Sequence, residues 1–199
     1  MLSVLLSRAL GIVALFGLIS ANRAHGSMHY VPNDIHCSKN FSVSFVYNSY
    51  TYIAPFHEFA NITKSFFDVE WFGGAIVTNT TGVDNVPGAT RAGHWRGSAF
   101  NETLTMYSKH MDAYIFSFHG QGLTITPPKG PAVTWESYVD TIRFQSICSG
   151  KATHIDIFTY ICSDNPIPTY DFSYTLHMST FEGMAAGLAA PVLAGDCPY

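Results

Sequence analysis

The chain has 199 residues, a formal net charge of −4 and only 12% charged residues. With no cluster of Lys or Arg, that balance argues against nucleic acid and anionic membranes as partners. An apolar fraction of 47% is ample for one real core, and so thin a charged fraction suits a surface that sugars help to solubilise.

In chain order, the first segment reads as removable. Arg8 is the only early charge, 9–19 is an unbroken apolar run, and Ser20, Ala21, Asn22, Ala24 and Gly26 supply small or polar residues after it. This is the layout of a signal peptide over 1–24, cleaved after Ala21 or Ala24 and too short to make a stable membrane anchor. No later run is long and apolar enough for a spanning helix. Residues 27–199 are then expected to form one ligand-binding domain. Four sequons begin at Asn40, Asn61, Asn79 and Asn101, the signature of passage through a eukaryotic glycosylating lumen. Cys37, Cys148, Cys162 and Cys197 all follow the leader. An even count in an oxidising compartment suggests two disulfides, with three pairings open.

After an irregular lead-in over 27–40, residues 41–53 are rich in aromatic and β-branched types and predict a long first strand. Pro55 stops it. Over 55–68 the apolar residues Phe56, Phe59, Ile62, Phe66 and Phe67 recur at helical spacing behind a proline, which predicts one or two short helices. A short strand is expected at 75–79. The stretch 86–122 alternates polar and apolar residues and reads as three strands, broken at Gly97-Ser98 and at Lys109-His110. A loop is expected over 120–130, with Pro127 and Pro128 inside it. Residues 133–148 and 152–162 form a hairpin turning at 149–151. Finally 171–190 predicts one long helix, capped by Thr169 or Asp171 and ended by Pro191, with Tyr174, Met178, Phe181, Ala185 and Leu188 as its apolar stripe.

This order is strand, short helices, six strands, long helix. With Pro87-Gly88-Ala89-Thr90-Arg91 opening the third strand and Glu102-Thr103-Leu104-Thr105-Met106-Tyr107 in the fourth, it resembles the START-like superfamily. That superfamily includes the plant Bet v 1 allergens and the polyketide cyclase/dehydrase group, and the chain reads as a secreted, fungal-type member. The resemblance implies an α+β helix-grip fold: a curved seven-stranded antiparallel sheet wrapped round a long C-terminal helix, with a large apolar cavity between them. Such cavities hold sterols, lipids, hormones or polyketides, and some members cyclise the guest. The same topology sets the first strand beside the last and implies the pairings Cys37–Cys162 and Cys148–Cys197.

Candidate site residues follow from strand parity. If Asn101 carries a glycan it faces solvent, so Glu102 points inward with Phe100, Leu104 and Met106. A carboxylate among apolar neighbours has a raised pKa and suits general acid–base chemistry, unless a nearby Arg pairs with it. Tyr114 and His94 complete the catalytic candidates, the Tyr114 hydroxyl needing a partner that a ligand could be. Arg91, Phe116, Phe118, Trp135, Asp156, Tyr160, His177 and Met178 are candidate ligand contacts. His154 with Asp156 is a candidate acid–base pair on the last strand, whose isoleucine face should be the buried one. The scattered histidines lack metal-ligand spacing, and there is no nucleophile elbow, phosphate loop or dinucleotide fingerprint. No metal or cofactor is therefore expected. The function read from this is a cofactor-free cyclase of secondary metabolism. It would fold an apolar polyketide or terpenoid for dehydration or ring closure, Diels–Alder chemistry included. The alternative is a secreted carrier of sterol, lipid or small hydrophobic metabolite, without chemistry.

Overall fold

The structure is a computed structural model that describes residues 36–128 and 130–198. The expected leader over 1–24 lies outside the described residues. The elements are β1 (Ser42–Tyr52), α1 (Phe56–Ile62), β2 (Ile76–Thr81), β3 (Thr90–Trp95), β4 (Ser98–Lys109), β5 (Ala113–Ile125), β6 (Val133–Ile147), β7 (Ala152–Ser163) and α2 (Pro166–Gly187). The strands form one antiparallel sheet in the order β1-β7-β6-β5-β4-β3-β2. Alternation along each strand separates two faces: on β1, Ser44, Val46 and Asn48 are buried while Val43, Phe45 and Tyr47 are exposed. The buried face curves round α2, and aromatic rings such as Phe59, Phe144, Tyr114 and Phe181 fill the space beneath the helix. This is the α+β helix-grip fold.

Local chemistry explains the boundaries. Arg96 and Gly97, both at positive φ (48° and 83°), form the tight turn that joins β3 to β4. One short helix follows Pro55 rather than two, because the next donors are taken by side chains. Asp84 accepts from the Phe67 amide and the Ser65 hydroxyl, and Asn85 accepts from the Phe66 amide. The loop expected from residue 120 starts later, since β5 stays paired with β6 as far as Ile125. Gly120 is there for close approach and not for a turn: a Cβ on it would sit 1.9 Å from the ring of Tyr138.

Two further expectations shift. A bulge between Leu104 and Met106 turns Met106 outward and brings Tyr107 to the inner face opposite Phe116, so Met106 does not join Phe100, Glu102 and Leu104. The long helix begins at Pro166, behind Asn165, because the first turn has no intrahelical use for the N–H that proline lacks. Thr169 therefore lies inside the helix and caps nothing. The buried face of α2 runs through Phe172, Leu176, His177, Thr180, Phe181 and Met184, while Tyr174 is 40% exposed. The expected apolar stripe is rotated because Ser173, His177 and Thr180 share the buried side. Phe172 packs against Trp95 and Trp135.

Cys37 is joined to Cys162 and Cys148 to Cys197, each with Cα atoms 5.3 Å apart. These are the pairings the helix-grip topology implied, and two disulfides fit an oxidising compartment. Among the described residues, no helix is long and apolar enough to cross a membrane.

Candidate functional site

Below α2, the inner faces of β4, β5 and β6 meet the 69–75 segment around a cavity of about 40 Å3. Phe72, Trp95, Phe100, Trp135 and Leu176 supply apolar wall. Into it project five polar side chains: Glu102, Tyr138, Asp140, Thr159 and Ser173. The space is enough for a few water molecules or one functional group, and far below the several hundred Å3 of a typical ligand pocket. The large apolar cavity implied by the resemblance is corrected here to a small, partly polar one. Bulky rings account for the difference, since Trp95 and Trp135 both line the cavity and each packs against Phe172.

Period-2 alternation carries Glu102 inward, opposite Arg91 on β3 and Gly120 on β5. Its expected apolar surroundings are interrupted. Arg91 donates from Nε to Glu102 Oε2 at 2.5 Å, and the Tyr138 hydroxyl donates to Oε1 at 2.6 Å. Arg91 is itself 1% exposed, donates to the Phe66 carbonyl and lies over the rings of Phe66 and Phe118. Glu102 is thus the centre of a buried ion pair, the outcome that a neighbouring Arg made possible.

Asp140 is the carboxylate without a cation. Tyr138, Asp140, Ile142 and Phe144 alternate onto the buried face of β6. Asp140 accepts a hydrogen bond from the Thr159 hydroxyl across the β6–β7 pair. Burial raises its pKa to about 7, with the Thr159 bond and Arg91 opposing that rise and Glu102 adding to it. The sequence reading missed Asp140 and Tyr138. The signal was present, because Ile142 and Phe144 mark the face that residues 138 and 140 must share.

His177, 1% exposed, stands beside this cluster on α2. Its Nδ1 lies 2.9 Å from Asn48 Oδ1, and Asn48 Nδ2 donates to the Tyr174 carbonyl. Asn48 therefore presents its oxygen, so His177 Nδ1 carries the proton and Nε2 is an acceptor. That Nε2 faces the hydroxyls of Thr159 and Ser173, each at 3.4 Å. Burial lowers the His177 pKa to about 3, so the ring is neutral in ordinary solution.

The remaining candidates are placed as follows. Trp135 lines the cavity, and Arg91 reaches it through Glu102. Phe116 and Phe118 are inner-face core rings. Tyr114 is buried below them, and its hydroxyl donates to the Thr63 carbonyl at 2.9 Å, so a backbone group fills the part assigned to a ligand. His94 is exposed on the outer face of β3, since residue parity there points Arg91 and Trp95 inward. Asp156, His154 and Tyr160 are on the outer face of β7. Asp156 binds Arg143, the Tyr47 hydroxyl and His154 Nε2 at 3.1 Å, and Tyr160 packs against Phe45 with the rings tilted by 35°. Met178 is half-buried at the flank of α2. The structure therefore puts Glu102 and Trp135 in the cavity wall, with Arg91 behind Glu102 and His177 behind Thr159 and Ser173, and sets His94, Tyr114, Asp156, Tyr160 and Met178 apart from it. Among the described residues no group of three or more His, Cys, Asp or Glu is arranged to hold a metal ion.

No family model and no curated protein matches the chain. Solved structures do. A protein from Nitrosospira multiformis matches at TM-score 0.51 with 19% identity, over 71% of this chain and 94% of its own. A hypothetical protein from Helicobacter pylori matches at TM-score 0.51 with 9% identity, over 78% of this chain and 96% of its own. Norcoclaurine synthase from Thalictrum flavum is a more distant match, at TM-score 0.46 and 9% identity, over 80% of this chain and 95% of its own. At these identities the likeness speaks of fold and not of activity. Fold and site together define a helix-grip protein whose internal cavity holds one unpaired carboxyl group.

Proposed function

We infer that the protein is a secretory-lumen glycoprotein of fungal type. In this reading it acts as a cofactor-free cyclase or dehydratase on an apolar polyketide or terpenoid. The observation that carries the reading is Asp140: a buried carboxyl that faces the cavity, is bonded among the described residues only by the Thr159 hydroxyl, and has its pKa raised by burial to about 7. Such a group gives up or takes a proton at working pH, which suits removal of a proton beside a carbonyl or protonation of a departing hydroxyl. Dehydration and ring closure need little more than this, because holding a flexible chain folded supplies several kcal/mol of the barrier by itself. The cavity admits the reacting group alone. The rest of the substrate requires outward movement of the 69–75 segment, whose Val69, Phe72 and Ala75 form one wall. Glu102, engaged by Arg91 on β3 and Tyr138 on β6, is assigned the task of tying these strands together beside the cavity, in place of the acid–base role expected of it.

A carrier without chemistry remains the second reading. A larger groove of about 650 Å3 lies outside the cavity, and none of the residues lining it is ionisable.

The test is turnover of metabolites that co-purify with the protein from its own host, identified by native mass spectrometry. Asp140→Asn is expected to lower the rate by at least a hundredfold, with wild-type activity changing through pH 7. Glu102→Gln should lower stability more than it lowers the rate of the molecules that fold. A metabolite bound and released unaltered by the wild-type protein would reject the enzyme in favour of the carrier.

A further inference from the structure

The 69–75 segment has two sides. Phe72 faces the inner cavity, while Trp71, Gly73 and Gly74 face the outer groove, whose opposite bank is the C-terminal half of α2. On that bank Gly183 and Gly187 lie one turn apart, and a Cβ on either would meet nothing within 4 Å. Glycine in a helix interior is destabilising by roughly 1 kcal/mol relative to Ala, a cost that falls on Gly183 while Gly187 closes the helix, and neither is needed to avoid a clash with the protein. What both residues do is keep the groove flat and open.

Three observations show what such a groove would take. Ten residues line it and none carries a charge or titrates, so an ionic ligand finds no counter-charge. The indole of Trp71 is fixed in place: its Nε1 donates to the Asp68 carbonyl, and its ring meets Phe72 and Phe116 edge-on, at interplanar angles of 80° and 85°. A ring held in this way is a ready stacking surface. Third, Thr180 on α2 lines the groove, is 6% exposed, and its hydroxyl has no hydrogen-bond partner among the described residues. A buried hydroxyl left unpaired is costly, and most such groups in proteins are satisfied.

We propose that this groove is a second ligand site, separate from the cavity of Asp140, for a flat, uncharged ring system bearing a carbonyl or hydroxyl oxygen. The rings stack on Trp71 and lie across Gly183 and Gly187, and rotation of Thr180 to the other rotamer open to a helical threonine brings its buried hydroxyl to the ligand oxygen. At about 650 Å3 the groove has the size of a small-molecule site. The proposal does not depend on the catalytic reading, because Asp140 is absent from the groove.

The test uses the full chain with both disulfides formed, and the neutral naphthyl ketone prodan, whose emission shifts to the blue in apolar surroundings. Saturable binding with a blue shift is expected. Gly183→Leu and Gly187→Leu put bulk into the groove from positions where a Cβ meets nothing within 4 Å. Each should weaken binding at least tenfold while the melting temperature holds or rises. Thr180→Val removes only the donor and should weaken binding about three- to tenfold without loss of stability. Absence of saturable binding to the wild-type chain would overturn the proposal. So would binding that survives both leucine substitutions, or that survives them and falls in Asp140→Asn, which would put the probe in the inner cavity.

Discussion

Asp140 and His177 reach the same Thr159 hydroxyl from facing elements, and burial moves their proton equilibria in opposite directions. For Asp140 the folded pKa is raised, from 3.8 to about 7. Its contribution to stability is whole below pH 4 and is lost as pH rises through 7. For His177 the folded pKa is lowered, from 6.5 to about 3. Its contribution is whole above pH 6.5 and is lost as pH falls toward 3. Each term is on the order of 4 kcal/mol at its limit. The protein therefore has opposed slopes that nearly cancel between about pH 4 and 6.5. Asp140→Asn is expected to gain stability relative to the wild type as pH rises from 4 to 7, by up to about 4 kcal/mol. His177→Gln should gain relative to the wild type as pH falls from 6.5 to 3. Urea denaturation at stepped pH measures both, and slopes of the same sign in the two variants would contradict the assignment.

Among the elements, β5 and β6 are held in register at a point where one strand has no side chain. Tyr138 lies over Gly120, and the same hydroxyl reaches Glu102 on β4. Gly120→Ala should push Tyr138 from its bond to Glu102 and lower stability by about 1–3 kcal/mol, the usual cost of overpacking. Thermal denaturation would show it, and an unchanged melting point would mean that Tyr138 is not locked. The disulfides act at the same scale. Cys148–Cys197 ties the β6–β7 turn to the chain beyond α2 across 49 residues. Replacing both cysteines by serine should cost up to about 4 kcal/mol in the chain-entropy view, readable by denaturant titration. A loss well under 1 kcal/mol would mean that the tail beyond α2 is held by its other contacts, such as the Leu193 amide to the Thr51 carbonyl.

At the scale of the whole molecule, all four sequon asparagines are exposed, Asn101 on the outer face of β4 among them. Four glycans are expected on protein from a eukaryotic secretory host, each lost in the matching Asn→Gln variant and counted by intact mass. A chain carrying none would remove the secretory-lumen assignment. Much of the molecule was legible in the chain itself. Element order, the inward parity of Glu102 and the disulfide pairing implied by the resemblance need only local alternation and a strand order. Alternation also held the clue to Asp140, through Ile142 and Phe144. Other features belong to tertiary structure alone. The bulge at Leu104–Met106 and the late end of β5 are set by the register with the neighbouring strand, which alternation within one strand does not show. The buried face of α2 carries His177, bonded to Asn48 and set beside Ser173 and Thr159, and hydropathy does not foretell those contacts. The exchange of roles between two carboxylates is the sharpest case. Sequence places Glu102 and Asp140 alike on buried faces, and only the packing of β3 against β4 puts Arg91 beside Glu102 and leaves Asp140 without a cation. A charge is neutralised by what lies within a few Å in space, and that distance is set by the whole fold.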